Sequence, residues 1–200
     1  MAIRIFIVAF LFLFAFFQTC IAIEKLDKKT IQESQIYGAN NCLLSLNEFL
    51  DPWTSFEEEA IIVIKNSECS YMYTPFLLVA LDARNKVLSK EKITLKESED
   101  ILKIYEGYWV FNTIFFDYDQ NLLNNSKIFI KQGKLIFKAD QFSLISKEHY
   151  LDDEAMDTYK INCYLYFKSK KLSLKEPIYL IIECENSRNR SFYFNIKNIK

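Results

Sequence analysis

Alternation of apolar and polar positions dominates the last third of the chain. From Tyr159 to Phe167 the odd positions are apolar or aromatic, and the same alternation recurs over Ile178 to Cys184 and Phe192 to Ile196. A period of two predicts strands with one buried face. We expect the three strands to form an antiparallel meander, because one register then keeps every apolar face inside the sheet. In that register Cys163 lies opposite Cys184, which in turn lies opposite Phe192.

The polar side of this predicted meander is rich in tyrosine. In the expected register four tyrosines share the outer face of one sheet: Tyr164, Tyr166, Tyr179 and Tyr193. Exposed tyrosine offers apolar area with a polar tip, which suits recognition of a protein or a glycan. These four residues are the candidate binding residues. The alternative is that they only decorate strands, where tyrosine is favoured in any case.

A hairpin is predicted just upstream. Residues 127–131 and 134–138 flank Gln132-Gly133, a two-residue connection with a glycine suited to positive φ. One face carries Phe129 and Ile136 surrounded by lysines, namely Lys127, Lys131, Lys134 and Lys138. Such a face either meets an anionic surface or is a solvated face that protects a sheet edge, and the second interpretation is favoured.

Three further segments are apolar on both faces or nearly so: Ala60 to Lys65, Phe76 to Leu81 and Trp109 to Phe116. They are typical of central strands covered on two sides, or of strands whose second face meets a helix. Between them, Ser98 to Tyr105 followed by Gly107 carries the start and stop signals of one short helix.

The segment before Asp51-Pro52 is ambiguous. Thr30 and Glu33 fit a helix capping box, and Leu43, Leu46 and Leu50 have helical spacing. Cys42 to Leu46 equally fits a strand. Together the patterns predict a mainly β protein, an immunoglobulin-like two-sheet β-sandwich with one or two short helices.

The N-terminus reads as an export signal. Arg4 precedes an unbroken apolar run from Ile5 to Phe17, and Cys20-Ile21-Ala22 resembles a cleavage site. The run of 13 apolar residues suits a signal core, whereas a spanning helix usually needs about 20. We therefore expect a signal peptide at 1–22 and a single domain at 23–200, of which 23–57 has uncertain structure. The alternative is an uncleaved membrane anchor formed by residues 3–23.

Export would allow the cysteines to form disulfides. Removal of residues 1–22 takes Cys20 away and leaves an even number, Cys42, Cys69, Cys163 and Cys184. Disulfides form in exported proteins, and we expect the pairs Cys42–Cys69 and Cys163–Cys184. The alternative is that these cysteines are free thiols that serve as small buried apolar residues.

Composition excludes several function classes. The formal charge is −1, from 25 basic and 26 acidic residues, and no block of basic residues provides a footprint for nucleic acid. With 3 glycines the chain cannot assemble a phosphate-binding loop or a dinucleotide fingerprint. We expect no cofactor and no nucleic-acid partner.

Candidate chemistry is weak. Asp117, Asp119 and Asn121 have the opening spacing of a calcium loop, but Leu122 and Ile128 replace the glycine and glutamate that the motif requires. A second acidic group comprises Asp152, Asp153, Glu154 and Asp157. His149, the 1 histidine of the chain, has no nucleophile or metal motif around it, and we expect it in an exposed loop.

We expect an exported, periplasmic or secreted, non-catalytic binding or structural module with no metal site. Its partner is a protein or a glycan, and it meets a membrane only through an uncleaved N-terminus. Two alternatives remain open. One is an exported hydrolase that uses carboxylates from the Asp117 or Asp152 regions, with or without a metal. The other is a membrane-anchored surface protein.

Overall fold

A computed structural model describes residues 26–59, 67–119, 121–151, 157–168, 172–173, 175–185 and 187–199. These residues are mainly β and form two antiparallel sheets with four α-helices. The helices are α1 (Lys28–Asn40), α2 (Leu46–Leu50), α3 (Pro75–Leu88) and α4 (Leu95–Ile104). The strands are β1 (Thr54–Phe56), β2 (Cys69–Tyr73), β3 (Tyr108–Asp117), β4 (Ser126–Gln132), β5 (Leu135–Lys138), β6 (Gln141–Leu151), β7 (Asp157–Lys168), β8 (Ile178–Cys184) and β9 (Arg190–Phe194).

The two sheets share one apolar core. The larger sheet has the order β1-β2-β3-β7-β6, and the smaller has the order β5-β4-β8-β9. Phe111 and Leu165 of the larger sheet are fully buried in the same cluster as Ile130 and Leu180 of the smaller one. The rings of Phe111 and Phe194 meet across the interface at 5.3 Å. This arrangement is consistent with the predicted β-sandwich.

The helices cover part of the other face of the five-stranded sheet. Phe49, Trp53 and Leu77 from the helical part form a second core with Cys69 and Tyr71 of β2. Strand β2 is therefore buried on both faces, as its residue pattern CSYMY requires.

The prediction of a strand at Phe76 to Leu81 is wrong, because these residues form the first half of α3. Thr74 is the N-cap, with its hydroxyl accepting a hydrogen bond from the Leu77 amide at 3.2 Å, and Pro75 occupies the first turn. A proline at that position is pre-organised for a helix. The short apolar run resembled a strand because a helix buried on several sides also shows no polar face.

The segment before Asp51-Pro52, which the sequence left open between helix and strand, contains helices α1 and α2. Asp27, not Thr30, caps α1, and the capping box predicted at Thr30 and Glu33 is instead formed by Ser45 and Glu48 at the start of α2. The number of helices therefore exceeds the predicted one or two. The alternative of a strand over Cys42 to Leu46 is wrong.

The predicted C-terminal meander is also wrong. Strand β7 lies between β3 and β6 in the larger sheet, whereas β8 and β9 belong to the smaller one. Leu172, which lies between β7 and β8 in the sequence, is buried in the core. In the β8–β9 pair Phe192 lies opposite Leu180 rather than opposite Cys184.

Other predictions are confirmed. Strand β3 covers Trp109 to Phe116, and α4 covers most of the expected helix and ends before Gly107. The lysine-rich hairpin forms as β4 and β5, with Gln132 opposite Leu135 and Gly133 at φ 55° in the turn. The strand predicted at Ala60 to Lys65 lies outside the described residues.

Candidate functional site

The outer face of the four-stranded sheet carries a cross-strand group of aromatic and aliphatic side chains. Tyr179 pairs with Tyr193, and Phe129 pairs with Ile181. The two tyrosine rings lie 5.1 Å apart. Ile136 on the edge strand extends the group beside Lys131, its partner on β4. We call these five residues, Phe129, Ile136, Tyr179, Ile181 and Tyr193, the tyrosine platform.

The platform is open to solvent. Tyr193 is 39% exposed and Ile136 is 62% exposed, while Tyr179, Phe129 and Ile181 are partly exposed. The neighbours of Tyr193 on β9, Phe192 and Phe194, point to the opposite side and are buried in the core. The period of two along β9 thus separates core side chains from platform side chains.

Tyr164 and Tyr166 lie elsewhere. They stand on β7, on the outer face of the five-stranded sheet, beside the helical layer. Tyr164 packs edge-on against Tyr73 at 5.6 Å, and Tyr166 packs against Tyr108 at 6.4 Å. Burial, followed by the neighbouring Tyr164, raises the pKa of Tyr73, and burial raises that of Tyr166. These rings therefore contribute to packing.

The four candidate tyrosines do not form one surface. The register expected from the sequence would have placed them together, but β7 and β8 belong to different sheets. Because the sheets pack through their inner faces, the two outer faces point in opposite directions. The structure brings Tyr179 and Tyr193 together and separates them from Tyr164 and Tyr166.

A buried ionic cluster joins the two sheets at one end. Arg190 at the start of β9 is 2% exposed. Its Nη2 donates to Asp117 Oδ2 at 2.8 Å, and its Nε donates to Glu68 Oε1 at 3.3 Å. The guanidinium also donates to two main-chain carbonyls, those of Arg188 and Phe116, and lies over the Phe115 ring at 5.1 Å.

Arg188 extends the cluster toward the surface. It pairs with Glu68 at 2.5 Å and with Glu57 at 3.1 Å. Burial opposes the charge of Arg188, but the nearby carboxylates of Glu68 and Glu57 outweigh it and raise the pKa of its guanidinium. Three carboxylates thus face two guanidinium groups, and each arginine has acidic partners as burial of charge requires. The cluster is a structural clamp between β9 and the ends of β2 and β3.

Sequence reasoning missed this cluster. Arg190 precedes Phe192 by two residues, so it occupies the inward-pointing parity of β9. An arginine at an inward position of a strand is a signal for a buried charge with acidic partners. The carboxylates that pair with Arg190, Glu68 and Asp117, are distant from it in sequence and could not be assigned from spacing.

The cysteines are free thiols in the structure. Cys42, Cys69, Cys163 and Cys184 form no disulfide among the described residues. The prediction of a Cys163–Cys184 bond fails because the two residues lie in different sheets. The predicted Cys42–Cys69 bond is likewise not formed. Burial raises the pKa of the Cys163 thiol to about 12.

The residues considered for hydrolysis do not form a catalytic group among the described residues. The carboxylates of Asp117 and Asp119 accept hydrogen bonds from neighbouring groups, and His149 lies on another strand. Asp117 accepts hydrogen bonds from Arg190, from Ser187 and from the Asp119 amide. Asp119 accepts from the Asn121 amide at 2.8 Å, so the segment proposed for calcium forms tight polar turns. His149 is exposed, on strand β6 rather than in a loop, with its ring 5.7 Å from that of Tyr159. Asp152, Asp153 and Glu154 lie outside the described residues, and nothing is described of the Asp157 side chain.

Within the described ranges, no three His, Cys, Asp or Glu side chains are grouped to hold a metal ion. No helix in those ranges has the length and apolar character to span a membrane.

Comparison with known proteins identifies no family. No family model matches the sequence, and no curated protein matches it. A crystal structure of a protein of unknown function from Burkholderia pseudomallei K96243 is similar, with a TM-score of 0.42 and 7% sequence identity. The similarity covers 88% of this chain and 96% of that chain.

Proposed function

We propose that the protein is an exported, non-catalytic binding module that contacts a protein or a glycan through the tyrosine platform. The observation that carries the proposal is the exposure of Tyr193 and Ile136 on a sheet face opposite to the core. Large aromatic side chains that contribute little to the core are enriched where proteins meet their partners.

The choice between the two tyrosine faces rests on packing. Tyr164 packs against Tyr73, and Tyr166 packs against Tyr108. This packing is sufficient to explain why tyrosines occupy these two positions. Tyr179 and Tyr193 contact each other and otherwise face outward. The platform therefore has exposed apolar area for contact with a partner. On the other face most of the apolar area of the tyrosines is already packed against neighbouring side chains.

Export and anchoring are the second part of the proposal. We propose a signal peptide at 1–22 followed by one immunoglobulin-like domain at 23–200, released to the periplasm or the medium. The apolar run of 13 residues and the two antiparallel sheets support this. Intact mass of the mature protein tests it, because cleavage after Ala22 and a retained anchor at residues 3–23 give different masses.

Site-specific photo-cross-linking in the exporting cell tests the platform. A photoreactive phenylalanine analogue replaces Tyr193 in one variant and Tyr179 in another. The matched control carries the analogue at Tyr118, which is 58% exposed and follows the end of β3 in the five-stranded sheet. We expect a discrete adduct from both platform positions and none from position 118. Absence of adducts at positions 179 and 193, or the same adducts from all three positions, contradicts the proposal.

A further inference from the structure

The tip of the β4–β5 hairpin carries two exposed aliphatic side chains on opposite sides of an edge strand. Leu135 lies opposite Gln132 on the inner side and is 48% exposed, while Ile136 lies opposite Lys131 on the outer side and is 62% exposed. Strand β5 has β4 as its only neighbour in the sheet order of the described residues. The fold therefore leaves both side chains in water, and neither sheet face can bury the pair.

Lysines surround these two side chains. Four exposed lysines lie on the hairpin: Lys127, Lys131, Lys134 and Lys138. None of them forms an ion pair with another described residue. Two acidic residues are near, Glu183 opposite Lys127 and Glu176 beside Gly133. The hairpin thus presents an excess of positive charge around an apolar tip.

We propose that this hairpin tip docks on an anionic lipid bilayer. Leu135 and Ile136 enter the boundary between headgroups and acyl chains, and Lys131, Lys134 and Lys138 remain at the phosphates, where long side chains place their charge in water. A bilayer surrounds an inserted tip on all sides, so it covers apolar side chains on both faces of β5. A protein groove that receives one face would leave the other exposed.

The charge of the hairpin favours the same occupant. Each lysine near an anionic surface contributes a roughly equal increment to binding, and screening by salt reduces it. Lysines that only protect a sheet edge need no apolar partner, yet here they bracket the two exposed aliphatic residues. The hairpin contributes Phe129 and Ile136 to the tyrosine platform, but the proposal does not depend on a protein or glycan partner at Tyr179 and Tyr193.

Co-sedimentation of the exported protein with vesicles tests the proposal. The vesicles consist of phosphatidylcholine alone or mixed with phosphatidylglycerol. We expect binding to the mixed vesicles only, weakened by salt. The triple change of Lys131, Lys134 and Lys138 to Gln should lower the partition coefficient about a hundredfold. The matched control changes Lys28, Lys92 and Lys96, which are exposed on the helical side, to Gln and should bind like the native protein. All variants share the same N-terminus, so the difference isolates the hairpin.

A second variant separates insertion from simple charge attraction. Leu135→Ser with Ile136→Ser should weaken vesicle binding at least tenfold while preserving its salt dependence and the melting temperature. Equal binding to neutral vesicles, equal loss in the control triple variant, or unchanged binding of the serine variant overturns the proposal. Sedimentation velocity without vesicles provides another check. A dimer that disappears in the serine variant would assign the tip to a second copy of the chain and would also overturn it. The vesicle experiments test the hairpin tip, whereas cross-linking at positions 179 and 193 tests the tyrosine platform. Failure of one proposal is therefore distinguishable from failure of the other.

Discussion

Arg190 and Asp117 form a 2.8 Å ion pair in which both side chains are almost completely buried. The pair joins the start of β9 in the four-stranded sheet to the end of β3 in the five-stranded sheet. Glu68 binds the same guanidinium, so one arginine connects two elements of the larger sheet to one strand of the smaller. This contact fixes one end of the sandwich.

The first prediction concerns this clamp. Arg190→Met keeps the apolar part of the side chain but leaves Asp117 buried without a cation and Glu68 with Arg188 alone. Breaking a buried pair in this way costs about 3–5 kcal/mol. Urea unfolding followed by circular dichroism measures the loss. Lys103→Met, which removes an exposed pair with Asp100, is the matched control and should have no measurable effect. A small change in the Arg190 variant would show that the cluster does not connect the sheets.

The second prediction concerns the contact between α1 and α3. A Cβ on Gly38 would lie 2.1 Å from the Ala80 carbonyl oxygen, which is backbone and cannot move aside. Gly38→Ala should therefore destabilise the protein by about 1–3 kcal/mol. In an ordinary helix the same change stabilises by about 0.5–1 kcal/mol. Gln32→Ala on the exposed side of α1 is the control, and a stabilised Gly38→Ala variant would contradict the close packing.

The third prediction concerns the cysteines. After denaturation without reductant, thiol titration of the exported protein should detect Cys42, Cys69, Cys163 and Cys184 as free thiols. In the native protein Cys163 should react slowest, because it is fully buried and burial raises its pKa. Peptide mapping after alkylation identifies each site. Detection of two or no free thiols would contradict this prediction and would support the disulfides expected from the sequence.

The fourth prediction is a pH dependence. Burial raises the pKa of Cys163 from 9.0 to about 12, so the unfolded chain loses this proton at lower pH than the folded protein. The thiol contributes its full stability below pH 9 and loses it as pH rises toward 12. The stability difference between the native protein and Cys163→Ala should therefore shrink above pH 9, by up to about 1.4 kcal/mol per pH unit. In Leu165→Ala, which removes no titratable group, the difference should stay constant.

The alternation of residues predicted individual strands more reliably than their neighbours. Strand β3, the β4–β5 hairpin and the burial of Ile178, Leu180 and Ile182 follow from local pattern, because a period of two fixes which side chains share a face. Which sheet a strand joins depends on the connections, and the sequence carries no local signal for that. The residues between β7 and β8 were expected to form a hairpin turn, but the two strands belong to different sheets.

Because local pattern does not determine strand neighbours, it also predicted only part of the candidate site. Tyr179 and Tyr193 are partners because β8 and β9 are adjacent both in sequence and in the sheet. Placing Tyr164 and Tyr166 on the same face required a pairing between β7 and β8, which are also consecutive in sequence but belong to different sheets. Arg190 was overlooked because its carboxylate partners, Glu68 just before β2 and Asp117 at the end of β3, are distant in sequence, and such charges pair only after the chain folds. For α3, the sequence did contain a helix-start signal, the N-cap Thr74 followed by Pro75. The apolar run that follows was interpreted as a strand, so this signal was missed.

The central claim is that the tyrosine platform is covered by a partner where the protein acts. Hydroxyl-radical footprinting, in intact exporting cells and with the purified protein, measures this directly. We expect oxidation of Tyr179 and Tyr193 to fall severalfold in cells. Tyr118, which is 58% exposed and follows β3 of the five-stranded sheet, should be oxidised equally in both samples. Equal oxidation of Tyr179 and Tyr193 in cells and in purified protein would contradict the account.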